Sequence, residues 1–377
     1  MLMDSFEIEN FRSLKHLKLE KLARVNLLLG KNNSGKTSVL EGIFALSSAE
    51  MAHWVTIIDR NIGLEKSDIR YLFYNFNDAV RITLLAKYRD EEVKDNNQEE
   101  AFIRTTLQTR DYILLNNSEV TGRERRPTKR LPATAIVVNL YNSNIPHGVA
   151  FELEVNTKSA SEDDELFITA LSEEAESVLN EGMDFIAYSR TIVSFIDTKS
   201  RLYGLSQRLE EMKIRKESDY MVNVLKNIDS RITSVDVVGA DIYLDLGQDF
   251  RMLMPLKLMG DGIQRLLLVV AFLSERQGGM VLIDEIDNGL HYSALRILWK
   301  GILQAAQLYD VQVFITTHSA EALRHLTWVL DEEENAQYRN EVAAYTLIRA
   351  KDDEVKSYRY NYGQLEFALE RGIEVRN

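Results

Sequence analysis

The chain has 377 residues, 45% of them hydrophobic and 27% charged, with no cysteine, four prolines and a formal net charge of −13. That length can bury one large core or two smaller ones, and the lack of cysteine removes disulfides, thiolate zinc sites and cysteine nucleophiles, which suits a reducing cytoplasm. The acidic balance argues against a surface that grips nucleic acid as a whole, and leaves room for a local basic groove.

In chain order, the first ten residues carry Asp4, Glu7 and Glu9, so no signal peptide is expected. The segment Leu27 to Ser38, LLLGKNNSGKTS, fits G-x-x-x-x-G-K-[ST] at every defined position, after a short apolar strand and before a helix. Gly30 and Gly35 allow the tight turns that bring backbone N–H groups onto phosphate oxygens. Lys36 is placed to reach the β- and γ-phosphates and Thr37 to set its hydroxyl on Mg²⁺, with a helix start near Lys36 favouring the same anion.

Residues 80–88, 102–109, 135–140 and 149–155 read as partly buried strands of an antiparallel β lobe. Between them lie a polar loop, Asp90 to Glu100, and a basic one, Gly122 to Arg130. The basic loop admits a phosphate-backbone contact to DNA or RNA, but Glu124 within it and the lack of interleaved aromatics favour a solvated hairpin tip. Residues 161–233 read as mostly helical, with an amphipathic stretch at Leu202 to Ile228, and are expected to form a short lid.

Gly260-Asp261-Gly262-Ile263-Gln264-Arg265 is expected to follow an apolar strand and to open a helix over 263–275, a second helix start suited to anions. The apolar run Leu266 to Leu273 in that helix is too short to cross a bilayer, and no membrane association is expected. Met280 to Glu285, MVLIDE, is an apolar strand ending in two carboxylates: Asp284 is placed to hold Mg²⁺, and Glu285 to act as general base on the attacking water. Asp310 to Ser319 is another buried strand, ending in Thr-His-Ser, with Ser319 a natural N-cap for the next helix. Standing after the P-loop and the acidic strand, His318 is read as a sensor of the γ-phosphate rather than a satisfied turn histidine. Strands at 342–350 and 355–360 and a final helix at 364–371 complete the chain.

Taken together, these segments resemble an ATP-binding-cassette (ABC) ATPase of the SMC, RecF and OLD group. The opening Phe6-Glu7-Ile8-Glu9-Asn10-Phe11-Arg12-Ser13 is similar to that group's I-x-N-F-R-S strand, and Asn32 and Asn33 match its G-x-N-x-S-G-K-[ST] loop. Gly260 to Arg265 resembles the ABC signature, although the usual L-S-G-G-Q serine is missing, and His318 resembles the switch histidine. Residues 259–262, 283–291 and the ending Glu374-Val375-Arg376 are similar to bacterial ATPases encoded with anti-phage modules. No glutamine between Lys36 and Gly260 declares itself as the Q-loop residue.

The resemblance implies a P-loop α/β fold with a parallel core sheet, an antiparallel β lobe and a helical insertion, divided as 1–160, 161–235 and 236–377. It implies an ATP and Mg²⁺ site built from Arg12, Gly30, Asn32, Asn33, Ser34, Gly35, Lys36, Thr37 and Ser38. Gly260, Asp261, Gly262 and Gln264 would be contributed by a second copy, so at least a homodimer is implied, with Asp284 on the metal and Lys36, Glu285 and His318 catalytic. OLD-type relatives append a TOPRIM nuclease, for which the residues after His318 are too few, so the output is expected from a separate nuclease or toxin. Alternative readings are a DNA-repair or chromosome-maintenance ATPase that binds DNA directly and, more weakly, a P-loop GTPase or kinase, for which no N-K-x-D motif is visible.

Overall fold

A computed structural model describes residues 2–47, 57, 69–89, 101–116, 129–142, 149–155, 193–197, 204–350 and 354–376. The first part contains β1 (Leu2–Phe11), β2 (Leu14–Glu20), β3 (Val25–Leu29), α1 (Lys36–Leu46), β4 (Ile82–Arg89), β5 (Ala101–Asn116), β6 (Lys129–Asn142), β7 (Val149–Val155) and β8 (Val193–Ile196). There follow α2 (Leu205–Ile214), α3 (Ser218–Lys226), β9 (Ser234–Val238), β10 (Asp241–Asp245), β11 (Met254–Pro255) and α4 (Asp261–Glu275). The last part holds β12 (Met280–Ile283), α5 (Tyr292–Leu308), β13 (Gln312–Thr316), α6 (Ala320–Asp331), β14 (Val342–Arg349), β15 (Val355–Asn361) and α7 (Tyr362–Glu370).

The apolar runs in β3, β12 and β13 show no polar alternation because both of their faces are covered. They lie inside a six-stranded sheet ordered β15-β14-β3-β13-β12-β8, parallel throughout except for β15 at one edge. Leu27, Leu29, Val281, Ile283, Val313 and Ile315 face a core shared with α2 to α7. Leu28, Met280, Leu282 and Phe314 point the other way, into a second core with α1 and β1. The second sheet, ordered β2-β1-β4-β5-β6-β7, is antiparallel throughout. In β1 the period of two is plain: Phe6 and Ile8 are buried while Glu7 and Glu9 alternate between them. The expected α/β fold, with a parallel core and an antiparallel lobe, is therefore present.

Three expectations need correction. The stretch before Gly260 is not an apolar strand, because Met254–Pro255 pairs with β10 for two residues only and Leu256–Leu258 then turns in a 3₁₀ conformation. The helical reading of 161–233 fails at Val193–Ile196, which pairs in parallel with β12 as an edge strand of the core sheet. The single amphipathic stretch 202–228 is two helices, broken at Arg215–Glu217 where Lys216 takes φ 61. The polar loop Asp90 to Glu100, residues 122–128 of the basic loop, and residues 161–192 and 198–203 of the stretch read as helical lie outside the described residues. Among the described residues no helix is long and apolar enough to cross a membrane.

Candidate nucleotide site

The five parallel strands of the core sheet all end at one edge, where the loops that follow carry the functional side chains. The loop after β3 is the P-loop. A Cβ on Gly30, whose φ is 142°, would stand 2.7 Å from the carbonyl oxygen of Leu347, and one on Gly35 (φ 98°) 2.6 Å from Leu14 Cδ2. Only glycine fits both the conformation and the space at these positions. α1 starts directly after Gly35 with no side-chain cap, so its first N–H groups face the loop. Lys36 is 5% exposed, and its Nζ donates to the carbonyls of Gly30 at 2.9 Å and Lys31 at 2.8 Å. Burial lowers the Lys36 pKa to about 8, against the opposing pull of Asp284 and Glu285. Ser34 Oγ is buried without a hydrogen-bond partner in the described structure.

The loop after β12 meets the P-loop. Thr37 Oγ1 donates to Asp284 at 3.2 Å, and Thr316 Oγ1 donates to the same carboxylate at 2.6 Å. Glu285 adopts φ 49, a left-handed conformation that costs an L-residue about 1–2 kcal/mol. Its N–H donates to Thr316 Oγ1 at 2.8 Å, which helps hold the turn. After β13, His318 Nε2 lies 3.8 Å from Glu285 Oε1. Ser319 caps α6 as expected, accepting from the Ala322 N–H at 3.1 Å.

Arg12, Asn32, Asn33, Gly35, Lys36, Thr37, Ser38, Glu285 and His318 all line one cavity of about 1060 Å³. Asp284 joins them through Thr37, and Gly30 and Ser34 belong to the same loop. Arg12 also forms an ion pair with the buried Glu41 of α1, so part of its charge serves the fold. The predicted residues Gly260, Asp261, Gly262 and Gln264 are not among the residues lining this cavity. Gly260 and Asp261 are exposed at the start of α4, and Gln264 Nε2 donates to the carbonyl of Met259 at 2.8 Å.

Several contacts in or around the site were not readable from the sequence, some of them made by Arg265 and Arg376, which the motifs include without assigning them a role. The irregular segment Tyr71 to Phe76 forms one wall of the cavity. Arg349, at the end of β14, also lines it and donates to the carbonyl of Ser13 at 2.9 Å. Arg376 donates to the carbonyl of His318 at 2.8 Å and pairs with Glu374, holding that carboxyl down at about 2. Arg265 reaches from α4 to the carbonyl of Asp284 at 3.4 Å, linking the signature helix to the acidic strand. No glutamine lines the cavity among the described residues, so the Q-loop residue is not placed.

The chain is similar over most of its length to an ATP/GTP phosphatase of Helicobacter pylori, 22% identical over 390 aligned positions covering 98% of each protein. It is also similar to the DNA replication and repair protein RecF of Streptococcus pneumoniae, 22% identical over 60% of this chain and 64% of RecF. Among solved structures, an Smc head bound to the C-winged helix domain of ScpA superposes with a TM-score of 0.53 at 11% identity, covering 98% of this chain and 100% of that one. An Smc head with an extended coiled coil, bound to the C-terminal domain of ScpA derived from Pyrococcus furiosus, gives 0.53 at 11% identity and 99% coverage of both chains. At such identity the likeness is one of fold, and it is the α/β fold of an Smc head. The family described as "AAA domain, putative AbiEii toxin, Type IV TA system" matches residues 25–324, spanning the P-loop, the acidic strand and His318. The chain belongs to this family of AAA-type ATPase domains.

Proposed function

We propose that this ATPase works as a nucleotide-driven clamp of two copies, and that it serves as the sensor or scaffold subunit of an anti-phage module whose output comes from a separate nuclease or toxin. The observation that carries the clamp is the division of the motifs within one chain. Lys36, Thr37, Glu285 and His318 share a cavity, while Gly260 and Asp261 stand exposed outside it. A second copy can complete the site with its own Gly260, Asp261, Gly262 and Gln264, so nucleotide contacts to both copies favour the closed pair.

The residues fit ATP and Mg²⁺. Ser34 Oγ is a buried polar atom in want of a partner, and Gly30 and Gly35, where a Cβ would strike the protein's own atoms, allow the tight loop that turns backbone N–H groups toward a phosphate. Lys36 and the start of α1 suit the phosphates, and Thr37 with Asp284 supplies the oxygen ligands that Mg²⁺ prefers. When bound, ATP and Mg²⁺ supply the phosphoryl group and the charge neutralisation for its transfer. Glu285 takes the proton of the attacking water, and His318 beside it senses the γ-phosphate.

Shared sites predict complementation. Lys36→Ala disables the P-loop half, and Gly260→Arg disables the signature half without disturbing the fold, because a Cβ at Gly260 meets nothing within 4 Å. Each variant alone should lack ATPase activity, and mixed dimers should recover one competent site. Properly folded mixed dimers with no activity would refute the shared site.

The lowered Lys36 pKa predicts a pH dependence. Phosphate binding favours the ammonium form, so ATP affinity should fall above pH 8, by up to about tenfold per pH unit. Calorimetry at pH 8 in buffers of different ionisation enthalpy should show uptake of about half a proton. An affinity flat from pH 7 to above 9 would contradict it. The sign for folding is opposite to that for binding. Between about 8 and the ordinary 10.5 the unfolded chain binds more protons at this residue, so its contribution to stability is lowest below pH 8 and rises with pH through that window.

The defence reading is supported by the similarity of residues 283–291 and 374–376 to ATPases of anti-phage modules. The similarity to RecF favours a second reading, an ATPase that binds DNA directly. Hydrolysis stimulated by added DNA would select the second; hydrolysis indifferent to DNA, with a stable complex to the product of a neighbouring gene, would select the first.

A further inference from the structure

We propose that Tyr71 and Phe76 form the nucleobase subsite of this cavity, and that they hold the base by stacking, without reading its edge. The inference rests on the phosphate-binding role of the P-loop given above.

The wall Tyr71 to Phe76 divides its apolar residues between two tasks. Leu72 and Phe73 are each 1% exposed and belong to the core between the sheets. They are anchored there by backbone: the Arg12 N–H donates to the Leu72 carbonyl at 2.7 Å, and Phe73 bridges Phe11. Tyr71 and Phe76 point away from that core and remain 52% and 60% exposed while lining the cavity. Their rings touch edge to face, with centroids 5.4 Å apart and planes at 89°. A pair at right angles is a corner: one ring offers an open face and the other closes the side, which suits a flat heteroaromatic ring.

The backbone that builds this corner is costly. Asn75 and Phe76 take φ 53 and 57, consecutive left-handed residues, one of them a bulky aromatic. The turn is held by Phe76 N–H to the Phe73 carbonyl at 3.1 Å and Asn77 N–H to the Tyr74 carbonyl at 3.2 Å. Backbone strain of this kind clusters at ligand sites, where it fixes a side chain in place for a partner.

Position decides the occupant. The cavity of about 1060 Å³ is polar where Asn32, Asn33, Lys36 and Thr37 line it and aromatic where Tyr71 and Phe76 do. A nucleotide needs both kinds of contact, one for a charged phosphate tail and one for an apolar ring, and a cavity of this size accepts the whole molecule. Stacking engages the π-face that every base has, so it discriminates poorly between bases. ATP and GTP should therefore bind within a few-fold of each other.

The test compares ATP, GTP and inorganic tripolyphosphate by calorimetry on the wild type, on the double variant Tyr71→Ser with Phe76→Ser, and on Tyr71→Phe. The double variant should bind ATP and GTP roughly 10- to 100-fold more weakly and tripolyphosphate as well as the wild type does. Tyr71→Phe should keep wild-type affinity for both nucleotides. Both side chains are exposed, so an unchanged melting temperature is expected for the variants. Undiminished ATP affinity in the double variant would overturn the subsite, even if its dimerisation changed, because the ring pair would then belong to a protein contact. A preference of more than about 100-fold for one base in the wild type would overturn it too, since stacking alone does not discriminate so far. Failure of the wild type to bind tripolyphosphate or either nucleotide would instead bring down the P-loop reading, and the subsite with it.

Discussion

Replacing Glu285 with Gln is expected to slow ATP hydrolysis by about 10²- to 10⁴-fold while leaving ATP binding intact. The reason is local. Glutamine keeps the size of the side chain and can occupy the same left-handed turn, whose N–H is held by Thr316 Oγ1 at 2.8 Å. What it loses is the ability to accept a proton from water. Asp284, Thr37 and Thr316 are untouched, so the metal and phosphate contacts persist. With binding kept and turnover blocked, two copies should accumulate in the closed state. Phosphate release and the mass of the complex in the presence of ATP measure the two halves of this expectation. Unchanged turnover would remove Glu285 from the role of base, and a slow but monomeric variant would remove the clamp.

Replacing Lys36 with Ala is expected to weaken ATP binding by roughly 30- to 5,000-fold, the cost of deleting one partner from a buried, charged contact. The fold should tolerate the change, because Lys36 is the first residue of α1 and alanine is the best helix former. The Nζ contacts that are lost go to carbonyls of its own loop, Gly30 and Lys31, so the damage stays in the cradle. Equilibrium binding of ATP, with thermal unfolding as a control, tests this. Near-wild-type affinity would argue that the cavity holds its ligand elsewhere, with the P-loop as a bystander.

These outcomes depend on residues that differ in how visible they were. Gly30 to Thr37 could be read directly because one short loop contains the whole pattern: two glycines for the backbone turns, a lysine for charge and a threonine beside it. Asp284 and Glu285 were visible because two adjacent carboxylates end a short apolar run bounded by Gly278 and Gly279, and that run follows a P-loop in the chain. β8 was not visible. Four residues, Val193–Ile196, have no periodicity long enough to compete with a helical reading, and only pairing with β12 makes them a strand. The Leu256–Leu258 turn reads as strand in the sequence for the same reason, since apolar character alone does not distinguish the two.

The aromatic wall shows the limit most clearly. Nothing in the order Tyr71-Leu72-Phe73-Tyr74-Asn75-Phe76 says which rings are core and which face the cavity. That is decided by the contact of Phe73 with β1 and by left-handed backbone at Asn75 and Phe76, which no propensity favours. Arg349 is likewise an ordinary surface-type residue in sequence, more than 300 positions from the loops it contacts, and Arg376 belongs to a recognisable ending whose contact with His318, 58 positions away, only the fold shows.

The sequence by itself determined the parts that an ATPase site would need: a glycine-rich loop with a lysine and a threonine, a pair of carboxylates and a histidine, each at the end of an apolar strand. It could do so because each piece is a local pattern whose meaning survives without its neighbours. The tertiary structure decided what those pieces form. Parallel pairing brings the ends of β3, β12 and β13 to one edge, so the cradle, carboxylates and histidine meet in a single cavity, while the start of α4 remains outside it. Which motifs meet is a matter of strand order and long-range packing, and strand order is set by contacts between segments hundreds of residues apart.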